Sequence, residues 1–316
     1  MIILRDQCLP PEAPDPICLA LGVFDGVHLG HQSILRETVA EARKSRKLAA
    51  ALTFDPHPLA VIRPDLEVPQ LSTIEERAQI MESLGLDYLF VRTFDQEFSG
   101  LDPERFMADI LRKCYRASCI FVGFNFNFGR GGRGTPETLR LQGPLHGLQA
   151  SVYDAVRVGR QTVSSTAIRH QLVQGRVGQA WRLLGRPYSL TGEVVPGDGR
   201  GRGLGFPTAN LELPVGRVVP KPGVYAVRVE VSGTSYNGMA NIGSAPTFGG
   251  GRPRLEVHLC DFSGNLYGQT IRVHFITRLR PERQFAGSDE LGAQLERDRL
   301  AACRVLKQER LGGLWL

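Results

Sequence analysis

The sequence has few of the features that mark membrane, metal-binding or disordered proteins. It contains six cysteines and two tryptophans in 316 residues, and no two cysteines form a C-x-x-C pair or a metal-ligand spacing with histidine. No eighteen apolar residues run together, and no apolar leader follows Met1. We therefore expect a soluble, cytoplasmic protein without a membrane partner, with reduced thiols at Cys8, Cys18, Cys114, Cys119, Cys260 and Cys303.

Charge of one sign is also scarce. The net charge is +6. Residues 1–186 contain 22 basic and 20 acidic residues, and residues 187–316 contain 16 basic and 12 acidic residues. No five like charges are consecutive, and the densest basic patch, residues 43–47, is typical of a helix C-terminus. Because no basic stripe alternates with aromatic residues, we expect no nucleic-acid partner.

The length and a change of pattern predict two domains, residues 1–186 and 187–316. From Ile17 onward, short apolar runs alternate with amphipathic stretches, which is the pattern of βαβ units and a parallel sheet. The first domain is therefore predicted to be a doubly wound, Rossmann-like α/β domain. Its predicted strands are ICLALGVF, KLAAALTF, DYLFVRTF, SCIFVGF and LQASVYDAV.

After residue 187 the pattern changes to alternation with period two between Gly, Pro and Asn turns. The helical period returns only from Ser288 to about Gln308. This pattern predicts a small antiparallel Greek-key β-barrel with a C-terminal helix. Its predicted strands are YSLTGEVV, GVYAVRVEV, TSYNGMANI, RLEVHLC and QTIRVHFI.

A glycine-rich segment, GVFDGVHLGH at residues 22–31, joins the first predicted strand of the α/β domain to its first helix. Open α/β sheets bind ligands at such junctions, outside the carboxyl ends of the strands. The glycines and the helix N-terminus suit an anion, and His28 and His31 face the same way and can hold phosphate oxygens. A pair of capping or surface histidines fits the spacing equally well. A metal pair fits less well, because no carboxylate or third histidine accompanies them.

Three further segments follow strands of the same predicted sheet or begin a helix. FDPHP follows the second strand and GFNFNFG the fourth, where alternating Phe and Asn suit a flat ring, although core packing explains the phenylalanines as well. The segment VSSTAIR places three hydroxyls and Arg169 at a helix start, which is the composition of a phosphate clamp. Four segments with the composition of ligand-binding loops, all near one edge of the sheet, are hard to explain as turns alone.

A second glycine-rich loop, PGDGRGRGLGFPTAN at residues 196–210, begins the barrel. Its five glycines can wrap phosphate with backbone N–H groups and its two arginines add charge, although it lacks the order of a Walker loop. Thr208 and Asn210 point the same way on an extended chain and offer two hard oxygens to Mg²⁺. A flexible hairpin loop that ends in a β-bulge is the plainer interpretation.

Glu256 is predicted in the middle of a strand, where an ionised carboxylate is costly unless it is exposed or used. It suits a general base for a hydroxyl that attacks a γ-phosphoryl group, and a solvent-facing strand residue fits equally well. The segment RPERQF at residues 280–285 either lines a ligand mouth or forms a capped linker.

The motifs GVFDGVHLGH, TFDPHP, VGFNFNFG and SSTAIR together resemble the FMN adenylyltransferase module of bacterial bifunctional riboflavin kinase/FAD synthetase, an HxGH nucleotidylyltransferase. The motifs GDGRGRGLGFPTANL, KPGVYAV, ANIGSAPTF, LEVHLCDF, LYGQTIRV and LRPERQF resemble its riboflavin kinase module. The resemblance covers nearly the whole chain in the family's order. It implies phosphorylation of riboflavin by ATP to FMN, then adenylylation of FMN by ATP to FAD with release of pyrophosphate.

Together with the residue patterns, the resemblance implies specific roles. The implied catalytic residues are His28, His31 and Glu256. The implied ATP-binding residues are Gly22, Phe24, Asp25, Gly30, Ser164, Thr166, Arg169, Gly203, Gly205, Thr208 and Asn210. The implied flavin-binding residues are Pro58, Asn125, Phe128, Arg280 and Glu282, and Thr208 and Asn210 would also hold Mg²⁺.

Two alternative functions come from different classes. One is an adenylyltransferase or ligase for another phosphorylated substrate, against which the PTAN element and its glycine loop argue. The other is a flavin-binding regulator without catalysis, which the retained histidines, Thr208 and Glu256 disfavour. The expected partners are riboflavin, FMN, FAD, ATP and pyrophosphate, with the chain as a monomer or weak homo-oligomer.

Overall fold

The computed structural model describes residues 1–14, 16–197, 201, 203, 205–243 and 254–311. Its internal contacts divide the chain into two compact units, residues 1–165 and 166–316. The units divide before the predicted boundary at residue 186, because the helix at residues 177–184 packs against strands of the second unit. Each unit is described by itself.

The first unit is built on a six-stranded parallel sheet with the order β1-β4-β3-β2-β5-β6. All five predicted strands are present, and the additional edge strand β1 has only four residues, too few for a pattern. The central strand β2 is buried along its whole length, as parallel strands covered on both faces are. The strands are β1 Ile2–Arg5, β2 Ile17–Leu21, β3 Ala49–Asp55, β4 Tyr88–Thr93, β5 Ala117–Gly123 and β6 Gln149–Tyr153, followed by the hairpin β7 Arg157–Val158 and β8 Gln161–Thr162.

Helices cover both faces of this sheet and make two hydrophobic layers. Successive residues of β2 alternate between them: Leu19 packs in one cluster, and Cys18 and Ala20 pack in the other. The predicted doubly wound α/β architecture is therefore confirmed. The helices are α1 Leu29–Lys44, α2 Pro58–Ile62, α3 Ile74–Ser83, α4 Gln96–Ser99, α5 Pro103–Arg105 with its π-helical continuation Phe106–Cys114, and α6 Pro136–Gln142, with single 3₁₀ turns at Arg130–Gly132 and Gly143–His146.

The prediction that all six cysteines are reduced is wrong for one pair. Cys8 and Cys114 form a disulfide with their Cα atoms 4.7 Å apart. The segment before β2 returns to the end of the Phe106–Cys114 helix, where the Leu9 N–H donates to the Cys114 carbonyl. The two cysteines are 106 residues apart, and only the fold brings them together, so their spacing carries no signal. Cys18, Cys119, Cys260 and Cys303 are free thiols.

The second unit contains a closed antiparallel barrel with the strand order β10-β13-β12-β11-β14-β9. Strands β11, β12 and β13 form consecutive hairpins and β14 returns beside β11, which is the Greek-key arrangement. The predicted barrel is confirmed, and the short strand β10 within the PTAN element is additional. The strands are β9 Tyr188–Val195, β10 Ala209–Glu212, β11 Gly223–Val231, β12 Thr234–Gly243, β13 Arg254–Leu259 and β14 Thr270–Arg280.

Three helices belong with the barrel. They are α7 Ser165–Val173, α8 Val177–Leu184 and the C-terminal α9 Ser288–Leu311, of which the sequence predicts α9 within a few residues. Helix α9 packs on the barrel wall, where Ala302 and Leu306 contact a cluster that includes Ala226, Met239 and Ile276. None of the helices in the described part of the chain has the length and apolar character needed to cross a membrane.

Candidate active sites

The loop that follows β2 lies where the strand order of the parallel sheet reverses. Strands β3 and β4 extend the sheet from β2 on one side, and β5 and β6 extend it on the other. Open α/β sheets bind ligands in the crevice at this point, outside the carboxyl ends of the strands. The predicted segments 22–31 and 123–129 continue from the neighbouring strands β2 and β5, and therefore start at the same sheet edge.

The backbone of the first loop is strained and is supported from outside the loop. Phe24 and Val27 have φ angles of +53° and +37°, which residues other than glycine adopt only at a cost. Gly26 lies between them with φ +80°. Its N–H donates to the Ser72 hydroxyl at 2.7 Å in a buried hydrogen bond. The segment before α3 thus helps to hold a conformation that the loop residues alone disfavour.

A buried ion pair lies beneath this loop. Asp25 and Arg77 are each 1% exposed, and the Arg77 guanidinium lies 3.3 Å from the Asp25 carboxylate. The carboxylate also accepts from the backbone N–H groups of Leu71 and Ser72 at 2.9 and 3.1 Å. Arg77 donates in turn to the Val23 carbonyl at 3.1 Å. The Asp25 side chain is therefore used within the protein, and its direct contact with ATP stays a prediction.

His28 and His31 lie together at the N-terminus of α1. His28 is the N-cap residue and is 6% exposed, and its Nδ1 accepts from the His31 backbone N–H at 3.2 Å. The two rings stack with centroids 3.6 Å apart, and the Phe24 ring meets His31 edge-on at 5.2 Å. The capping role is therefore real, and His28 fills it through Nδ1. A neutral His28 carries its proton on Nε2, which suits donation to an anion.

Two predicted glycines leave room for these rings. A Cβ atom on Gly22 would lie 3.1 Å from the Phe24 ring, and one on Gly30 would lie 3.3 Å from the His28 ring. Both separations are shorter than ordinary van der Waals contact, so a side chain at either position would displace a ring. The glycines thus allow Phe24 and His28 to lie against the backbone, while a direct contact of either glycine with ATP stays a prediction.

The predicted flavin-binding residues of the first unit differ in exposure. Asn125 is exposed after β5, whereas Phe128 is 6% exposed and packs on Phe106 with ring centroids 5.1 Å apart. Core packing therefore explains the position of Phe128, and its contact with a flavin stays a prediction. The exposed ring of this segment is Phe124, at 52%, which the alternating pattern did not separate from its neighbours. Pro58 is the first residue of α2, three positions after β3 ends.

The hydroxyl-rich segment after β8 contacts the first loop at Ser165. The Ser165 hydroxyl donates to the Asp25 carbonyl at 2.9 Å. Ser164 is half-buried beside it, while Thr166 is exposed and Arg169 is half-buried on α7. Ser165 was not among the predicted site residues, because three adjacent hydroxyls give no indication of which one turns toward the loop.

A cavity of 310 Å³ lies in the second unit. It is lined by five predicted residues, namely Thr208, Asn210, Glu256, Arg280 and Glu282. Glu256 is the register partner of Asn210 on β10 and of Asn241 on β12, and all three line the cavity. One carboxylate and two amides therefore form a row across three strands. Glu256 is half-buried, so it is not the freely solvated strand residue of the plainer interpretation.

The glycine-rich loop approaches the cavity at two of its described positions, Gly197 and Gly201. Gly197 leaves no space for a Cβ atom, because the Asn210 amide lies against it. Gly203 and Gly205 are exposed, and Gly205 has φ +80°, a conformation that favours glycine. The two arginines expected to add charge to this loop, Arg200 and Arg202, lie outside the described residues.

Arg280 is tied to the C-terminal helix. Its guanidinium donates to both carboxylate oxygens of Asp298 at 2.7 to 3.0 Å, and Asp298 is 4% exposed. The Phe285 ring lies against the guanidinium groups of Arg280 and Arg283, at 5.7 and 4.6 Å. Phe285 belongs to the segment predicted to line a ligand mouth, and it does line the cavity. Asn241 and Asp298 were not among the predicted site residues, because strand and helix patterns do not identify partners on other elements.

Comparisons with known proteins agree with both halves of this description. The family model of FAD synthetase matches residues 11–167, and that of riboflavin kinase matches residues 184–306. Relatives from Bacillus subtilis (strain 168) and Escherichia coli (strain K12) are both named bifunctional riboflavin kinase/FMN adenylyltransferase. Each is 39% identical to this chain, over 92% of the chain and 93% of the relative. The predicted pair of activities is confirmed.

A solved structure described as a macrolide-efflux protein from Streptococcus pneumoniae has the same overall fold. It is 31% identical, covers 96% of this chain and 99% of its own, and superposes with a TM-score of 0.86. The two family models and the curated relatives leave the alternative functions without support. The chain belongs to the bifunctional riboflavin kinase/FMN adenylyltransferase family, and it uses ATP to convert riboflavin to FMN and FMN to FAD.

Proposed function

We propose that the two reactions take place at two separate sites, FMN adenylylation at the loop after β2 and riboflavin phosphorylation at the barrel cavity. The observation that carries the first assignment is the stacked pair of His28 and His31 at a helix N-terminus. The second rests on Glu256, which lies between Asn210 and Asn241 in the wall of the cavity.

In the adenylylation, a phosphate oxygen of FMN attacks the α-phosphorus of ATP and pyrophosphate leaves. His28 donates from Nε2 to an oxygen on that phosphorus, since its Nδ1 is held by the His31 backbone N–H. His31, stacked at 3.6 Å, supplies a second donor as negative charge develops. Ser164, Thr166 and Arg169 hold the triphosphate, and Asn125 and Pro58 contact the flavin.

In the phosphorylation, the 5′-hydroxyl oxygen of riboflavin attacks the γ-phosphorus of ATP. The Glu256 carboxylate accepts the hydroxyl proton as the new P–O bond forms. The backbone N–H groups of Gly203 and Gly205 donate to the phosphates, and Glu282 contacts the flavin. Arg280 lies at the flavin side of the cavity in the orientation that Asp298 fixes.

Magnesium fits this cavity as a partner of ATP. Thr208 and Asn210 both line the cavity and offer neutral oxygens, the ligand type that Mg²⁺ accepts alongside phosphate oxygens. Among the described residues, no group of three or more His, Cys, Asp or Glu side chains is arranged to hold a metal alone. We therefore infer that Thr208 and Asn210 hold an ion that arrives with ATP. The ion would neutralise charge on the phosphates.

The first assignment is tested with His31→Ala, with riboflavin, ATP and Mg²⁺ supplied and the flavins separated by chromatography. We expect the variant to accumulate FMN and to make little or no FAD, because only the adenylylation loses a donor. His146→Ala, in the 3₁₀ turn before β6, is the matched control and should make FAD at the unaltered rate. Normal FAD formation by His31→Ala would refute the assignment of this residue.

The second assignment is tested with Glu256→Gln, which keeps the shape of the side chain and removes the base. We expect no FMN from riboflavin but normal FAD from supplied FMN. Glu193→Gln, on the exposed side of β9, is the matched control and should keep both activities. Loss of both activities in Glu256→Gln would contradict separate sites, and retained phosphorylation would contradict the role of Glu256 as base.

We also propose a cytoplasmic location, because both reactions consume ATP, and a monomer or weak homo-oligomer as the working state. Sedimentation at micromolar concentration tests the second proposal. A stable assembly that resists tenfold dilution would contradict it.

A further inference from the structure

Two of the four free thiols meet inside the parallel sheet. Cys18 on β2 and Cys119 on β5 are register partners on neighbouring strands, so their thiols lie close enough to interact. They are 0% and 8% exposed. Register partners on adjacent strands have Cα atoms about 4.8 Å apart, a separation that a disulfide spans. The pair lies toward the amino ends of the strands, at the opposite end of β2 from the histidine loop.

A lysine lies against this pair. Lys47 Nζ is 3.4 Å from Cys119 Sγ and 2.9 Å from Ser118 Oγ, which itself lies 3.6 Å from the same sulfur. The hydrogen bond from Cys18, with those from Ser118 and Lys47, lowers the pKa of Cys119 to about 5. The same pairing, together with burial, raises the pKa of Cys18, which keeps its proton. These opposite shifts favour a thiolate on Cys119 while the proton stays on Cys18.

We propose that Cys119 and Cys18 form a redox-active dithiol, a modification site for hydroperoxides that is separate from both ATP sites. The Cys119 sulfur attacks one oxygen of the hydroperoxide, the O–O bond breaks, and the leaving oxygen takes up a proton to give an alcohol or water. The Cys18 sulfur then attacks the sulfenic acid, and the sulfenic oxygen leaves as water with the Cys18 proton. Two thiols are oxidised to one disulfide as one hydroperoxide is reduced.

The chain contains a natural control for this chemistry. Cys260, which directly follows β13, and Cys303 on α9 are also close enough to interact. Burial and the neighbouring Cys303 raise the pKa of Cys260 to about 12. This second pair therefore shares the proximity of two thiols, but the cation beside it is Arg299 in place of a lysine, and the pKa of Cys260 is raised where that of Cys119 is lowered.

The test treats the full-length protein at pH 6 with limiting hydrogen peroxide, followed by denaturation, thiol blocking and peptide mass mapping. We expect the Cys18–Cys119 disulfide to form well before any Cys260–Cys303 disulfide. Cys18→Ser should stop at a sulfenic acid on Cys119 that a dione reagent traps. Equal oxidation of the two pairs, or no Cys18–Cys119 bond, would overturn the proposal.

The role of Lys47 is tested by Lys47→Met, with Lys47→Arg as the variant that keeps the cation. The interaction with Cys18 lowers the pKa of Cys119 most, and Lys47 is one of the further groups that lower it, so Lys47→Met should raise this pKa and reduce the thiolate fraction at pH 6. Peroxide oxidation should therefore slow in Lys47→Met, by less than the loss of thiolate, because the intrinsic nucleophilicity of the thiolate rises with its pKa. Lys47→Arg should restore most of the rate. An unchanged rate in Lys47→Met would remove the lysine from the proposal.

Discussion

The buried pair of Asp25 and Arg77 gives the sharpest stability prediction for the first unit. Arg77→Met removes a guanidinium that donates to Asp25, Val23 and Ser72, and it leaves a buried carboxylate without its cation. Breaking such a pair costs about 3–5 kcal/mol. For a unit of this size, each kcal/mol lowers the midpoint of thermal unfolding by about 2–4 °C, so we expect a fall of about 6–20 °C.

The assay uses the distribution of tryptophan to separate the two units. Trp181 on α8 belongs to the second unit, and with Trp315, which lies outside the described residues, replaced by Phe, tryptophan fluorescence reports on that unit alone, while far-UV circular dichroism reports on both units. Arg77→Met should lower the first-unit transition and leave the tryptophan transition in place. FAD formation should fall at least about tenfold, because the strained loop loses its support, and FMN formation should be kept.

The matched control is Arg43→Met. Arg43 pairs with Asp87 at 2.8 Å, but its side chain is 51% exposed, and an exposed pair contributes about 1 kcal/mol or less. We therefore expect a shift below about 4 °C. A shift in Arg77→Met as small as that in Arg43→Met would show that the pair does not support the loop, and the argument from burial would fail.

Three further changes test packing and charge. Gly134→Ala would place a Cβ atom 2.6 Å from the Phe128 ring, so it should destabilise the first unit by about 1–3 kcal/mol in the dichroism melt. Gly292→Ala, inside α9 with open space around it, should raise the free energy of unfolding of the second unit by about 0.5–1 kcal/mol in the fluorescence melt. The hydrogen bond from His274 lowers the pKa of Glu230 below its usual 4.5, so Glu230 stabilises the barrel above that pH and loses its effect as pH falls through its folded pKa. Melts from pH 7 to 3 should therefore lose less stability in Glu230→Gln.

The sequence predicts the architecture because the signals for it are periodic and local. The apolar runs of the buried strands and the alternation in the barrel each extend over several residues, so every long strand is found. Four strands of the described residues were missed, the four-residue β1 and β10 and the two-residue β7 and β8. Strands β1 and β10 form because a longer neighbour offers its edge. A pattern that short cannot separate a strand from a loop.

The site is predicted less completely, because contacts between distant segments leave no local pattern. The histidines of the first loop stand out by their spacing, but Arg77 is one ordinary residue of a capped amphipathic helix. Asp298 is likewise one of several acidic residues on α9. The pairing of Cys8 with Cys114 has the same origin, and it overturned a prediction that rested on spacing alone. Composition shows which groups are available, and only the fold decides which of them meet.

The contacts of Arg77, which the sequence did not predict, have a common physical cause. An apolar pair of the same volume would avoid the cost of burying two charges, so stability alone does not favour Asp25 with Arg77. The backbone carbonyls of Val23, in the loop, and of Ser72, before α3, lie where each needs a hydrogen-bond donor from the protein. A guanidinium supplies five N–H groups in fixed directions and satisfies both carbonyls and the carboxylate at once. The buried charge therefore fixes a strained loop in one position, which hydrophobic packing cannot do because it has no direction.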